Sequence, residues 1–163
     1  MSAYVEHIGH DDPIAWLKHD HRAIETLLER LVSGSPGTRL STLEELKKVL
    51  AMHNAIEENL VYPALAEVAA RREEAMELFH ETAEANLLVF AAQRALDASD
   101  DVTFVSSVTQ LRQAVLGHIR TEEDDAFPLL SRLPAAEVKA LGTQILQFRN
   151  VLLTTAQQTS RVE

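Results

Sequence analysis

The stretch His53-Asn54-Ala55-Ile56-Glu57-Glu58, continued by Tyr62-Pro63-Ala64-Leu65, returns 65 residues later as His118-Ile119-Arg120-Thr121-Glu122-Glu123, continued by Phe127-Pro128-Leu129-Leu130. A His four residues before a Glu puts both on one stripe of a helix, because steps of three and four residues stay on one face. Leu43, Leu46, Leu50, His53, Glu57 and Leu60 form such a stripe around the first copy, and Phe104, Val108, Leu111, Val115, His118 and Glu122 around the second. Two more helical stripes each carry a His: Ile14, Leu17, His21, Ile24, Leu28 and Leu31 in one, and Met76, His80, Ala83 and Leu87, with Glu84 alongside, in the other. His21 and His80 lie 59 residues apart, close to the offset of the repeat, so the chain reads as two α-hairpins related by an approximate twofold.

Punctuation outside the repeat agrees with an all-α chain. Asp12-Pro13 reads as an N-cap and first helical residue, and Ser33-Gly34-Ser35-Pro36-Gly37 ends that helix. Ser41 with Glu44 reads as a capping box for helix two, which Pro63 should bend or end. Helix three has no punctuation at its start, set near residue 70, and runs to about Ala98. Ser99-Asp100-Asp101 is a turn and cap before helix four, about Val102 to Ala126, and Pro128 and Pro134 delimit a connector to a fifth helix, about Ala135 to Gln158. The expectation is one domain over residues 1–163: a four-helix bundle of about residues 12–132, plus the extra C-terminal helix.

Composition narrows the chemistry. Fifteen Lys and Arg stand against 25 Asp and Glu, a formal charge of −10, so the surface should repel phosphate backbones and anionic lipid; no nucleic acid or membrane partner is expected. No Cys is present, which removes disulfides, thiolate nucleophiles and iron–sulfur clusters and leaves His and carboxylates for any metal. Met1 to Asp12 carries acids and histidines instead of a basic and then apolar leader, and no stretch approaches the roughly 18 apolar residues of a spanning helix, so a cytoplasmic location is expected.

A single His on an apolar face is usually a hydrogen-bonded core residue, and a lone His-x-x-x-Glu is often a plain surface pair. Four helices that each aim a His at one axis, together with carboxylates, would bury charge at several kcal/mol per ion unless a cation balances it. Imidazole with carboxylate suits iron, with manganese or zinc as alternatives, and carboxylates from facing helices bridge two ions. The expected ligands are His21, His53, Glu57, His80, His118 and Glu122, with Glu84 a terminal ligand one turn after His80. His19 should point to solvent, His7 and His10 belong to an arm, the run Glu122-Glu123-Asp124-Asp125 reads as a solvated helix end or one compensated by a cation, and Tyr4, Trp16, Tyr62 and Phe127 read as packing residues.

Asp20-His21-Arg22, the two His-x-x-x-Glu-Glu segments each followed by an aromatic residue and Pro, and His80 between them resemble the hemerythrin-like (HHE cation-binding) family over about residues 12 to 132. The resemblance implies an up-down four-helix bundle holding a non-haem di-iron centre, with His21 and His53 on one iron, His80 and His118 on the other, and Glu57 and Glu122 bridging. Its implied ligand is a small diatomic molecule, oxygen or nitric oxide, or peroxide. Oxygen-carrying members have a second His four residues after the first in helix three and an Asp five residues after the His of helix four, where this chain offers Glu84 and Glu122. More negative charge at the metals favours the ferric state and weakens reversible oxygen binding, so sensing or handling of an oxidant is expected over carriage. Redox turnover of peroxide or nitric oxide, and a metal-stabilised bundle acting through a protein partner, are the alternatives. The fifth helix, with Val138, Leu141, Ile145, Phe148 and Leu152 on one face, either covers the bundle or forms a homodimer seam.

Overall fold

Asp12 opens the first helix as its sequence requires: the side chain accepts from the N–H groups of Ile14 and Ala15 at 3.0 and 3.1 Å, and Pro13 needs no partner at the first position. In the computed structural model, which describes residues 12–67 and 70–159 (side chains of 155–159 excepted), the elements are α1 (Pro13–Ser33), a 3-10 turn (Pro36–Thr38), α2 (Arg39–Ile56), a π-helical turn (Glu57–Val61), α3 (Tyr62–Glu67), α4 (Arg72–Asp97), α5 (Asp101–Thr121), a second π-helical turn (Glu122–Ala126), α6 (Phe127–Leu130) and α7 (Ala135–Thr159). No strand occurs among the described residues, and none of their helices is long and apolar enough to cross a membrane. Tyr4, His7 and His10 lie outside the described residues.

Short turns join α1 to α2 and α4 to α5, so each pair is an antiparallel hairpin, and the hairpins pack through α1 on α5 and α2 on α4. The capping box does not form. Pro36 starts a 3-10 turn that winds straight into α2, which places Ser41 inside the helix, its hydroxyl donating to the Thr38 carbonyl at 3.0 Å. Pro63 ends nothing: it is the second residue of α3, directly after a π turn. The break before α4 falls at Ala70, whose φ of 53° is left-handed, and Asp100 caps α5 by accepting from Thr103 N–H at 3.0 Å.

Two apolar clusters fill the bundle. One holds Ile24, Leu28, Leu43, Leu46, Leu50, Ala85, Phe104, Leu111 and Val115; the other holds Leu17, Ile56, Leu65, Leu78, Ala126, Phe127, Leu141 and Ile145. Read along each helix, the boundary between them falls at His21 in α1, His53 in α2, Thr82 in α4 and His118 in α5, so a polar layer is clamped between two apolar ones. The C-terminal helix turns its apolar face onto this chain's own bundle: Leu141 and Ile145 are buried in the second cluster, with Phe148 and Leu152 packed against it. Burial of that kind contributes roughly 1.5–3 kcal/mol for each full side chain.

Helix α4 is rotated from its expected phase. Its buried residues are Ala75, Leu78, Thr82, Ala85, Ala92 and Ala95, while Met76 is 52% and Leu87 71% exposed, and His80 and Glu84 are exposed with them. Two stripes compete on this helix. The one through Ala75, Leu78, Thr82 and Ala85 continues through partly buried Val89, Ala92 and Leu96, and its small side chains fit the close packing of α4 on α5. The stripe through His80 runs between Glu73 and Arg94, whose charges are better solvated.

Candidate metal centre

Glu57 and Glu122 each begin a π-helical turn and are fully buried. The wider turn adds a residue, and the i→i+5 bond from Tyr62 N–H to the Glu57 carbonyl, matched by Phe127 N–H to Glu122, brings the following aromatic residue back to the polar layer, where the Tyr62 hydroxyl meets Glu57 and the Phe127 ring meets His21. Each carboxylate then faces two ways. On one side, Glu57 Oε1 is 3.0 Å from His53 Nε2, Glu122 Oε2 is 3.1 Å from His21 Nε2, and one ligand atom from each of these four buried residues lies within 4.8 Å of the others. On the other side, Glu57 Oε2, Glu122 Oε1 and His118 Nε2 each stand 3.1 Å from the Tyr62 hydroxyl, with Thr82 Oγ1 at 3.2 Å.

Outward nitrogens have carboxylates of their own. His21 Nδ1 meets Glu123 Oε1 at 2.8 Å, backed by Arg22, and His118 Nδ1 meets Glu81 Oε2 at 2.8 Å. Asp20 stands behind His53, its Oδ2 4.0 Å from Nδ1. Phe127 stacks on His21 at 5.6 Å between centroids. Carboxylates behind imidazoles that face inward are the outer shell that metal-binding histidines need, since they fix tautomer and ring orientation.

Electrostatics follow from the enclosure. Burial works against charge on His21, but the carboxylates of Glu122, Glu57 and Glu123 outweigh it and hold the ring protonated up to about 10. His118, buried and bracketed by Glu57, Glu81 and Glu122, is also raised to about 10. Burial opposes ionisation of Glu57, yet the facing imidazoles of His53, His118 and His21 hold it well below the usual carboxylate range. Burial and the Glu57 charge push Glu122 up. Burial and both carboxylates push the Tyr62 hydroxyl far up.

Does a cation fit? His21 Nε2, Glu57 Oε1 and Glu122 Oε2 are buried polar atoms without a hydrogen-bond partner, and all three face the same four-residue cluster. Their contacts, His21 Nε2 to Glu122 Oε2 at 3.1 Å and His53 Nε2 to Glu57 Oε1 at 3.0 Å, are ion pairs without an aligned hydrogen bond, and a cation in their midst would satisfy them together. The donor set of two imidazoles and two carboxylates suits iron, manganese or zinc.

Five of the seven expected residues meet here: His21, His53, Glu57, His118 and Glu122. His80 and Glu84 do not; the rotation of α4 puts them on the outer face, and Thr82 and Glu81 stand in the layer instead. Tyr62, assigned to packing, brings its hydroxyl into the site. Asp20, Glu81, Thr82 and Glu123 also stand against the cluster, although the helical stripes did not single them out. Glu123 explains part of the acidic run, because it pairs with His21 and Arg22 instead of facing solvent alone. His19 stands beside Asp20 with its side chain 34% exposed, so it reaches solvent only in part.

Neither a curated protein nor a solved structure matches the chain. A family model does: the hemerythrin HHE cation binding domain, over residues 12–130. With a helical bundle and a buried His/Glu cluster in that span, the chain belongs to the hemerythrin HHE cation-binding family.

Proposed function

We propose that the chain holds two iron ions in unequal places and uses them to sense or handle a small oxidant: oxygen, peroxide or nitric oxide. The observation that supports this reading best is that Glu57 and Glu122 each turn one oxygen toward the His21/His53 side and the other toward the His118/Tyr62 side. Carboxylates that face two ways would be shared between two ions. His21 and His53 would complete one place, and His118 with the oxygens of Tyr62 and Thr82 would line the other.

Iron, when bound, supplies one-electron changes of oxidation state. The protein does the rest. His21 and His118 give up protons at Nε2 on loading, and Glu123 and Glu81 keep hold of the Nδ1 protons. The rings of Tyr62 and Phe127, with Leu17 and Ile56, keep bulk water out of the layer. Tyr62 Oη, hydrogen-bonded to both carboxylates, would be the hydroxyl from which a proton could be supplied at this side of the layer. Carboxylate-rich ligation favours the ferric state, and a nearby proton donor favours reduction of the oxidant over its release. These two features set handling or sensing above oxygen carriage.

Iron per chain, measured by mass spectrometry on protein purified without oxygen, should be close to two. Reduced protein exposed to air and then to argon should stay oxidised. Protein that stays iron-free when reconstituted with ferrous iron, or that returns cleanly to the ferrous form under argon, would overturn the reading.

A further inference from the structure

Two of the three buried imidazoles close on an outer carboxylate at 2.8 Å, and the third, His53, does not. Its Nδ1 is buried without a hydrogen-bond partner, 4.0 Å from Asp20 Oδ2. That same oxygen accepts from Arg149 Nη1 at 2.8 Å. Arg149 belongs to α7, beyond the residues matched by the family, and its guanidinium lies 5.3 Å over the Trp16 ring while Asp20 is 7% exposed. The His21 shell has an Arg too, but Arg22 is the neighbour of His21 on α1, so it moves with the ring it serves. Arg149 approaches from a different helix and anchors Asp20 from outside the four-helix layer.

We propose that Arg149 is a positioning residue that withholds Asp20 from His53, so that docking of the C-terminal helix sets the strength of one metal ligand. An imidazole that binds through Nε2 carries its proton on Nδ1, and a carboxylate accepting that proton makes the ring a stronger ligand. While Arg149 grips Oδ2, Asp20 stays short of that bond. When α7 lifts, or Arg149 is removed, the freed Oδ2 has His53 Nδ1 at 4.0 Å and closes on it, while His19 Nδ1 stands 3.8 Å from the other oxygen, Oδ1. His53 then matches His21 and His118. The inference rests on the proposed metal centre for its consequence, but not for its geometry.

The test has one arm without metal. In metal-free protein, long-range proton–nitrogen NMR of the histidine rings should show slowly exchanging Nδ1 protons on His21 and His118 and none on His53. Arg149→Met should add one on His53, and Arg149→Lys, which keeps the charge, should restore the original pattern. Titration with cobalt(II) should show Arg149→Met binding up to about tenfold tighter than wild type, a gain cancelled by adding Asp20→Asn. An unchanged His53 signal, or cobalt affinity that stays level or falls, would overturn the proposal. Arg149→Gln serves if the Met variant fails to fold, and a lower melting temperature with the His53 signal unmoved would mark Arg149 as packing only. Should wild type bind no cobalt, the metal reading fails while the NMR arm still decides the role of Arg149.

Discussion

The two hairpins place His53 and His118, and Glu57 and Glu122, as near copies, but their opposite corners differ. On the first side α1 supplies Asp20 and His21, and Phe127 stacks on the imidazole; on the second α4 supplies Glu81 and Thr82, and Tyr62 occupies the position equivalent to Phe127. Where an imidazole is missing, a hydroxyl has been gained on the ring opposite. The exchange of His with Phe for Thr with Tyr keeps a polar atom in the corner and changes its kind: a nitrogen that holds its proton up to about 10 for an oxygen that holds its proton more tightly still. The shared carboxylates constrain both sides; the corners make them unequal.

The carboxylates should show the largest effect. Glu57→Ala or Glu122→Ala should abolish two-metal loading and destabilise the bundle by roughly 3–5 kcal/mol, since each leaves buried charge without its partner. Metal analysis with denaturant titration checks this, and full loading in both variants would mean that the two sides do not share them. Tyr62→Phe makes the corners alike without restoring a His. It should cost about 1–3 kcal/mol in the metal-free protein, because Glu57, Glu122, His118 and Thr82 lose a common partner, and should weaken the second metal more than the first. Equal weakening of both would remove the assigned asymmetry.

Acidity gives a third handle. His21 and His118 are raised from 6.5 to about 10, so their contribution to stability is fully present below pH 6.5 and is lost as pH rises through about 10. Melting of metal-free protein should therefore fall progressively between these values, while metal-loaded protein, whose Nε2 atoms carry no proton, should stay level. A flat metal-free profile would show that these imidazoles are neutral. The smallest effect belongs to His80→Ala and Glu84→Ala, which should leave metal content unchanged, both being on the outer face of α4. Loss of one metal in either variant would return α4 to its expected phase.

Where one stripe dominated a helix, the sequence was enough. Leu17, His21, Ile24 and Leu28 on α1, and Val115 and His118 on α5 with Glu122 just beyond it, are buried as their spacing predicts. On α4 the spacing could not choose, because Ala and Leu populate two faces and burial of small residues leaves little trace in hydrophobicity. Tyr62 was hidden for a geometric reason. Five residues on from Glu57 is about 140° around an α-helix, off the core stripe, and only the π turn brings it back. The outer carboxylates depend on contacts between helices, which no periodicity within one helix encodes.

The residues that follow the π turns carry a consequence for how long the layer keeps its register. A π turn can wander along a helix by handing its wider hydrogen bond to the next N–H down the chain. Pro63 and Pro128, one residue beyond the N–H groups that close the two turns, have none to offer. The extra residue is therefore walled off on its C-terminal side, and neither Glu57 nor Glu122 can slip out of the layer by migration of its turn in that direction.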